Sequence, residues 1–300
     1  MLNPRVSICI PAYNQPVYFK NALESALSQT FEDFEIIITD DSTNDSIRSV
    51  TDNYSDKRIK YFKNKERLGS PENWNKAIKL ASGKYIKILH HDDWFPDENC
   101  LSGFVQLLDE NKSCDMGHSA TYVCDPAGKV KRIHRTKHKQ VMRIKKNPEF
   151  LLGGNVIGAP SAVIFRKEVP VIFDENLKWF VDIDFYISIL KGNPNFAYTD
   201  LPLISTTDGD ESQITYSKDI KTVEFFEWHY LYNKIKPKPS IKYYKAYSKI
   251  LKKNRINSIK DIEALDLFDT LPGFVKFAFF HHKLKFLIKE MATRPIRKQE

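Results

Sequence analysis

Short apolar runs alternate with amphipathic segments over the first ninety residues of the chain. Four runs have the length and composition of a strand: residues 6–11, 34–39, 59–62 and 85–89. Three segments between them have helical spacing or helix-capping residues: residues 17–29, a stretch after residue 46, and residues 71–81. This alternation predicts an α/β fold with a Rossmann-like, mostly parallel sheet and helices on both faces.

The pattern becomes mixed after residue 100. Residues 125–128 predict a hairpin turn, and a glycine-rich turn follows at residues 153–158. We expect a further strand at residues 161–165 and a helix that begins near Asp182. From Tyr216 onward the pattern is helical, with charged and aromatic residues intermixed, which indicates a C-terminal helical extension.

Composition and charge favour a globular protein with a basic C-terminal region. The chain has 300 residues and is 42% hydrophobic and 13% aromatic, which excludes the disordered and fibrous classes. Its net charge is +8, and residues 216–300 contain 19 Lys and Arg against 9 Asp and Glu. We therefore divide the chain into an α/β domain, residues 1–215, and a basic, aromatic-rich helical region, residues 216–300.

Cysteine spacing and hydropathy bear on the location of the protein. The four cysteines show no CxxC spacing, so we expect reduced thiols. The N-terminal apolar run is too short for a signal peptide, and no window contains 18 uninterrupted apolar residues. These features predict a cytoplasmic protein without a membrane-spanning segment.

Polar clusters follow three of the predicted strands. Ligands of parallel sheets bind at the carboxyl ends of strands, so the clusters predict one site. Neither a GxGxxG turn nor a GxxxxGK[ST] loop is present, which argues against a dinucleotide Rossmann unit and a P-loop. The clusters are Tyr13-Asn14, Asp40-Asp41-Ser42 and His90-His91-Asp92-Asp93.

The adjacent carboxylates Asp92 and Asp93 are candidate metal ligands. Two neighbouring carboxylates at the end of an apolar strand are costly to hold together unless a cation neutralises them, and Mg²⁺ or Mn²⁺ prefers oxygen ligands. An exposed acidic turn that caps the next helix explains the pair equally well. For Asp40 and Asp41 an Asx turn is the simpler interpretation, and His90 is more often structural than a zinc ligand.

Four motifs in order resemble the family 2 inverting glycosyltransferases of the GT-A fold, over about the first two-thirds of the chain. The motifs are VSICIPAYN at residues 6–14, SQTFEDFEIIITDDS at residues 28–42, GKYI at residues 83–86, and the Asp92-Asp93 pair. The resemblance implies a GT-A domain at residues 1–215 and transfer of a sugar from a nucleoside diphosphate sugar to a hydroxyl group.

The resemblance assigns nucleotide-binding roles to the first two motifs and to the segment after them. Tyr13 is expected to flank the base, Pro11 and Asn14 to shape the same pocket, and Asp41 to hydrogen-bond the base. The two further residues expected to approach the base and ribose are Arg67 and Asn73.

The resemblance also assigns the metal site and the catalytic base. Asp93 would be the principal ligand of Mn²⁺ or Mg²⁺, and Asp92 would contact the metal, its bound water or the ribose. Asp182 would be the catalytic base, although Val181 stands where the family commonly has Glu. Asp184 is the alternative base, and a purely helix-capping role for both is also open. Residues 206–211, where the family often has a metal-binding histidine, contain none.

The implied reaction partners are a nucleotide-sugar donor, with uridine the commonest base in the family, and a saccharide or lipid-linked saccharide acceptor. Surface polysaccharide or glycan assembly is the expected pathway. The basic, aromatic segment at residues 271–297 predicts peripheral membrane contact, or else packing on the catalytic domain or a dimer contact. We expect no nucleic-acid partner. Two other classes are kept open: a nucleotidylyltransferase, and a non-catalytic module that binds membrane or nucleic acid.

Overall fold

The computed structural model describes residues 3–209, 220–238, 240–256, 261–262 and 275. The described residues up to 151, together with residues 155–209, form one compact unit. Residues 152–154 and the described residues from 220 onward form a second unit. The nine strands found among the described residues belong to the first unit, in one sheet.

Four parallel strands form the first half of the sheet, in the order β3-β2-β1-β4. The strands are β1 (Val6–Ala12), β2 (Phe34–Asp40), β3 (Ile59–Lys63) and β4 (Tyr85–Ile88). The helices that connect them are α1 (Pro16–Leu27), α2 (Ser46–Thr51) and α3 (Glu72–Leu80). Each strand and helix coincides with a predicted one, apart from a few residues at the ends.

Helices cover both faces of this parallel half. Ile36 and Ile38 of β2 belong to the apolar core that includes Phe19 and Leu23 of α1. The intervening Ile37 is also fully buried, and because side chains alternate along a strand it faces the other side. Helix α3 packs against β1 and β2. The predicted α/β fold with helices on both faces is therefore observed.

The second half of the sheet is mixed and continues in the order β4-β8-β6-β9-β5, with β7 paired to β6. Only the β6–β9 pair is parallel here. The short turn between β6 and β7 leaves no room for a crossover, so these two strands must run antiparallel. The elements are β5 (Asp93–Trp94), α4 (Cys100–Glu110), β6 (Met116–Cys124), β7 (Val130–His134), α5 (His138–Lys146), 3₁₀ helices at Pro148–Gly153 and Pro160–Ala162, β8 (Val163–Arg166), α6 (Val181–Gly192) and β9 (Phe196–Thr207).

The strand registers bring the three polar clusters to one edge of the sheet. Ala12 of β1 pairs with Asp40 of β2, and Cys9 of β1 pairs with Ile88 of β4. The residues that follow these positions, including Tyr13 and Asp41, therefore leave the sheet at the same edge. The predicted convergence of the clusters is a consequence of the parallel pairing.

Among its described residues, the second unit contains the helices α7 (Ile220–Ile235) and α8 (Ile241–Lys253). Their packing is aromatic: Trp228 is fully buried, and the Tyr247 hydroxyl lies 2.7 Å from Nε2 of His229. The C-terminal helical extension is therefore confirmed. Residues 271–297, where peripheral membrane contact is predicted, lie outside the described residues apart from Val275. None of the helices in the described part of the chain has both the length and the hydropathy needed to cross a bilayer.

Candidate active site

The loop after β1 presents an aromatic ring next to a cation from the loop after β3. Asn14 and Gln15 have φ angles of 54° and 56°, a left-handed conformation that asparagine adopts more readily than most residues. The Asn14 backbone N–H donates to Oγ of Ser42 at 2.7 Å, which joins this loop to the one after β2. The Arg67 guanidinium lies 4.4 Å from the centre of the Tyr13 ring. Tyr13 and Arg67, both predicted to bind the nucleotide, thus form one surface.

Asp40 anchors the end of β2. Its fully buried carboxylate accepts hydrogen bonds from the Ser42 backbone N–H at 2.8 Å, the Tyr61 hydroxyl at 2.6 Å and Nζ of Lys63 at 2.9 Å. Burial alone would raise the pKa of Asp40, but these hydrogen bonds lower it below its ordinary value. Asp40 is therefore ionised and fully engaged by the protein.

Asp41 holds the segment that carries Arg67. Its Oδ1 accepts from Nδ2 of Asn64 and from the Leu68 backbone N–H, both at 2.8 Å, and its Oδ2 accepts from the Gly69 backbone N–H at 2.8 Å. Gly69 has a φ angle of 81°, a conformation that favours glycine. The carboxylate therefore fixes the turn next to Arg67.

Asn73 lies beneath this turn and is 3% exposed. Its Oδ1 accepts from Asn64 at 2.9 Å, and its Nδ2 donates to the Thr39 carbonyl at 3.0 Å. Both ends of the Asn73 amide are thus engaged by the protein. The structure connects Asn73 to Asp41 through Asn64.

The cluster after β4 has the composition of a divalent cation site. Ligand atoms of His90, Asp92 and Asp93 lie within 4.8 Å of one another, and within the described ranges this is the only such group of three. Asp93 is 5% exposed, and burial raises its pKa well above the usual range, with Asp92 adding to the rise. Hydrogen bonds from Ser161 and the Thr207 backbone, and the charge of Lys87, oppose this rise.

His90 completes the cluster with a nitrogen. Its Nε2 is buried without a hydrogen-bond partner, and burial lowers the pKa of the ring to about 4, so the imidazole is neutral at pH 7. The ring packs on Trp74, with centroids 4.4 Å apart. A neutral imidazole with an unused nitrogen beside two carboxylates suits a divalent cation, so these residues fit the expected Mn²⁺ or Mg²⁺.

A buried lysine lies behind this cluster. Lys87 of β4 is fully buried, and burial lowers its pKa to about 7. Its Nζ donates to the carbonyl oxygens of Ile88 and Ser161. The Ser161 hydroxyl also accepts from the His90 backbone N–H at 3.0 Å. Ser161, which precedes β8, therefore joins that strand to the acidic cluster.

Asp182 lies in the first turn of α6 and is partly exposed. Its Oδ2 accepts from Nδ2 of Asn155 at 2.6 Å. Oδ1 of Asn155 accepts from the backbone N–H groups of Ile157 and Gly158, both at 3.0 Å. Gly158, with a φ angle of 114°, accepts at its carbonyl from Asn155 and from the Tyr186 hydroxyl. One turn thereby orients the Asp182 carboxylate.

The negative charges of Asp182 and of the acidic cluster both act on Tyr186. This tyrosine is fully buried, and its pKa is raised well above the usual range, first by burial and then by the negative charges of Asp182 and Asp93. Both carboxylates therefore act electrostatically on the same phenol. By contrast Asp184, the alternative base, is only 2% exposed.

Sequence reasoning missed several residues of this site. Asn155, Ser161, Tyr186 and Lys87 carried no signal, because an amide, a hydroxyl or a lysine in an apolar run is common in any α/β protein. His90 was judged structural because no Cys/His set accompanied it. Its position two residues before Asp92 was the sequence signal for a mixed site of carboxylates and an imidazole.

Two solved glycosyltransferase structures share this fold. The Staphylococcus aureus TarS fragment 1–349 in complex with UDP-GlcNAc aligns with a TM-score of 0.61 and 17% identity, over 92% of this chain and 79% of that one. The mannosyltransferase PcManGT from Pyrobaculum calidifontis, in complex with GDP-Man and Mn²⁺, aligns with a TM-score of 0.57 and 16% identity, over 94% and 80%. The fold is that of the GT-A glycosyltransferases, as predicted.

The sequence model of Glycosyl transferase family 2 matches residues 7–170, more than half of the chain, so the protein belongs to that family. An uncharacterized glycosyltransferase of Methanocaldococcus jannaschii is 30% identical over 65% of this chain and 68% of its own length. The GalNAc(5)-diNAcBac-PP-undecaprenol beta-1,3-glucosyltransferase of Campylobacter jejuni is 38% identical over 35% and 33%. The chain spans 59 to 68% of the length of four such relatives. The predicted family is confirmed.

Proposed function

We propose that the protein is a metal-dependent inverting glycosyltransferase, which transfers one sugar from a nucleoside diphosphate sugar to an acceptor hydroxyl. The observation that carries this proposal is the cluster of His90, Asp92 and Asp93, whose ligand atoms lie within 4.8 Å of one another. The charges of Asp182 and Asp93 both raise the pKa of the buried Tyr186, which supports a candidate base and a candidate metal ligand that serve one reaction centre. The family and the fold set the reaction class.

The proposed nucleotide site is the surface formed by Tyr13 and Arg67. The Tyr13 ring would stack on the base, while Arg67, 4.4 Å from that ring, would approach a phosphate or the ribose. Asn14 has a buried Oδ1 without a hydrogen-bond partner, which is available to a base N–H. Pro11 is buried at the end of β1 and shapes the floor of the pocket.

Asp41 and Asn73 take different roles in this proposal. Asp41 holds the turn next to Arg67, and its Oδ2, which accepts only the Gly69 N–H among the hydrogen bonds described, has capacity for a base N–H. Asn73 acts as a positioning residue, because both ends of its amide already contact the protein.

The proposed metal ligands are Asp93, Asp92 and His90. When bound there, a divalent cation stabilises the negative charge that develops on the departing nucleoside diphosphate. We favour Mn²⁺ over Mg²⁺, because His90 offers a nitrogen and Mg²⁺ prefers oxygen ligands. The neutral His90 ring and the low exposure of Asp93 support this assignment.

Asp182 is the proposed general base. Its carboxylate accepts the proton of the acceptor hydroxyl while that oxygen attacks the anomeric carbon from the face opposite the leaving group, so the configuration inverts. Asn155 holds Oδ2 of Asp182 at 2.6 Å and orients the carboxylate. Asp184 is 2% exposed and offers an acceptor little access, which favours Asp182.

The proposed donor is a uridine diphosphate sugar, and the proposed acceptor is a lipid-linked saccharide. The TarS structure contains UDP-GlcNAc, although PcManGT contains GDP-Man. The Campylobacter relative is named for a saccharide linked through diphosphate to undecaprenol. A lipid-linked acceptor would place the reaction at the cytoplasmic face of a membrane, in surface glycan assembly.

The proposal is tested with the Asp182→Asn variant. We expect turnover with UDP-sugars to fall by about 10² to 10⁴-fold, the usual contribution of a general base, while UDP affinity and melting temperature match the parent. The matched control is Asp200→Asn, at an exposed aspartate, which should leave turnover unchanged. Parent-like turnover of Asp182→Asn would remove Asp182 as the base. Calorimetry with UDP, GDP and dTDP identifies the nucleotide.

A further inference from the structure

A strongly basic segment lies within the first unit, outside the residues assigned above. Residues 129–146, here called the basic segment, contain nine Lys and Arg and no Asp or Glu. The rest of residues 1–215 has the opposite balance, with 18 basic and 29 acidic residues. The charge of the basic segment is therefore a local feature that the average over residues 1–215 conceals.

The structure places this charge on the surface. The segment comprises the end of the β6–β7 turn, β7 and α5, and Val141 and Ile144 bury one side of α5. Within the segment Lys131 lies 3.5 Å from Asp208. All nine basic residues are exposed: Lys129, Lys131, Arg132, Arg135, Lys137, Lys139, Arg143, Lys145 and Lys146.

Apolar side chains are exposed among these cations. Val130 is 49% exposed, Ile133 is 39% exposed and Met142 is 56% exposed. A soluble polyanion would be bound by the cations alone and would gain little from these apolar groups. An anionic bilayer accommodates both, since lysines and arginines meet the headgroups while apolar side chains enter the interface. We propose that the basic segment docks the protein on an anionic membrane surface.

The segment adjoins the turn that orients the proposed base. Nε2 of His134 lies 3.1 Å from the Val156 carbonyl oxygen, and the Thr136 hydroxyl donates to the same oxygen at 2.7 Å. Val156 directly follows Asn155, whose amide holds Asp182. A bilayer bound at the basic segment would therefore lie beside the acceptor side of the proposed reaction centre. This segment is separate from residues 271–297, on which the sequence-based membrane prediction rested.

Vesicle binding by the full chain tests the charge contribution. We expect sedimentation with vesicles of phosphatidylcholine and phosphatidylglycerol at 70:30, and none with phosphatidylcholine alone. Each Lys or Arg near an anionic surface raises the membrane affinity by a factor of about five. The triple variant Arg135→Gln/Lys139→Gln/Lys146→Gln should therefore bind the anionic vesicles about a hundredfold more weakly than the parent. The control is Lys57→Gln/Lys79→Gln/Lys112→Gln, which removes three exposed charges elsewhere and should bind within about twofold of the parent.

Apolar substitutions separate a membrane from a soluble polyanion. Ile133→Ser/Met142→Ser should bind the same vesicles at least about tenfold more weakly and bind inorganic polyphosphate like the parent. The control pair, Ile172→Ser/Leu201→Ser, has similar exposure and should retain vesicle binding. The proposal would be overturned if the triple Gln variant or the double Ser variant of the basic segment bound the vesicles like the parent. It would also be overturned if the parent did not bind them. Because no donor or acceptor is used, the result is independent of the proposed transferase activity.

Discussion

Asp40-Asp41 and Asp92-Asp93 are two adjacent carboxylate pairs that follow buried parallel strands at the same edge of the sheet. Their second members are equally buried, with Asp41 4% and Asp93 5% exposed. The Asp40-Asp41 pair is engaged by a lysine, a phenol, an asparagine amide and three backbone N–H groups. The pKa of Asp93, by contrast, is raised by burial despite its partners.

This difference separates a scaffold from the proposed cation site. A carboxylate pair whose charge the protein already compensates orders the loops around it and binds a ligand only through spare acceptor capacity. A buried carboxylate whose ionisation is disfavoured by burial and by a neighbouring carboxylate, next to a neutral imidazole, is stabilised by an added cation. The same two-residue motif thus serves different purposes according to its neighbours.

The largest expected effect comes from Asp93→Asn. Loss of the proposed principal metal ligand should lower turnover by about 10³-fold, because Lewis-acid stabilisation is worth several kcal/mol and each 1.36 kcal/mol is tenfold. The metal-free variant should be as stable as the parent or more so, since a buried carboxylate whose ionisation is disfavoured by burial is replaced by a neutral amide. Turnover at saturating Mn²⁺ and urea denaturation with EDTA measure the two effects. A clearly less stable metal-free variant would contradict the proposed difference between the pairs.

Asp40→Asn should have the opposite effect on stability. We expect a loss of about 3 kcal/mol in the free energy of unfolding at pH 7, because one partner of a buried ion pair is removed. The folded-state pKa of Asp40 is lowered, so its stabilisation is complete above the unfolded-state pKa of about 4. That stabilisation is lost as pH falls through the lower folded-state pKa. Urea denaturation at pH 7, 4 and 3 should show a weaker pH dependence in the variant than in the parent.

Cation binding should stabilise the protein through the second pair alone. Mn²⁺ at a hundredfold excess over its dissociation constant contributes about 2.7 kcal/mol, which corresponds to about 5 to 10 °C in melting temperature. Asp41→Asn should retain this shift and Asp93→Asn should lose it. Equal shifts in both variants would place the cation elsewhere. A parallel titration with Mg²⁺ tests the expected preference for Mn²⁺.

The smallest effect is expected for Asp41→Asn. The amide can place a donor where Oδ2 now accepts the Gly69 N–H, which should lower stability by about 1 to 2 kcal/mol and UDP affinity by about tenfold. Asp45→Asn, at an exposed aspartate in the same loop, is the matched control for denaturation and calorimetry. Unchanged UDP affinity in Asp41→Asn would show that the turn next to Arg67 does not contribute to nucleotide binding.

Much of the fold was predictable from local pattern. The strands β1 to β4 and the helices between them follow from apolar runs and helical spacing, and parallel pairing then brings the loops that begin at Tyr13, Asp41 and Leu89 to one edge. The mixed pairing of β5 to β9 was not predicted, because antiparallel and parallel strands differ little in composition. β5 has only two residues, too short for any periodic signal.

The sequence by itself determined the family, the α/β domain and the residue types that such chemistry requires, since these depend on short-range pattern. The tertiary structure decided which groups share a neighbourhood. Asn155 and Asp182 are 27 residues apart in the sequence and form a hydrogen bond, and Ser161 and His90 do so at a separation of 71 residues. The hydrogen-bond partners of a buried carboxylate are such long-range contacts, so only the folded chain distinguishes Asp41 from Asp93.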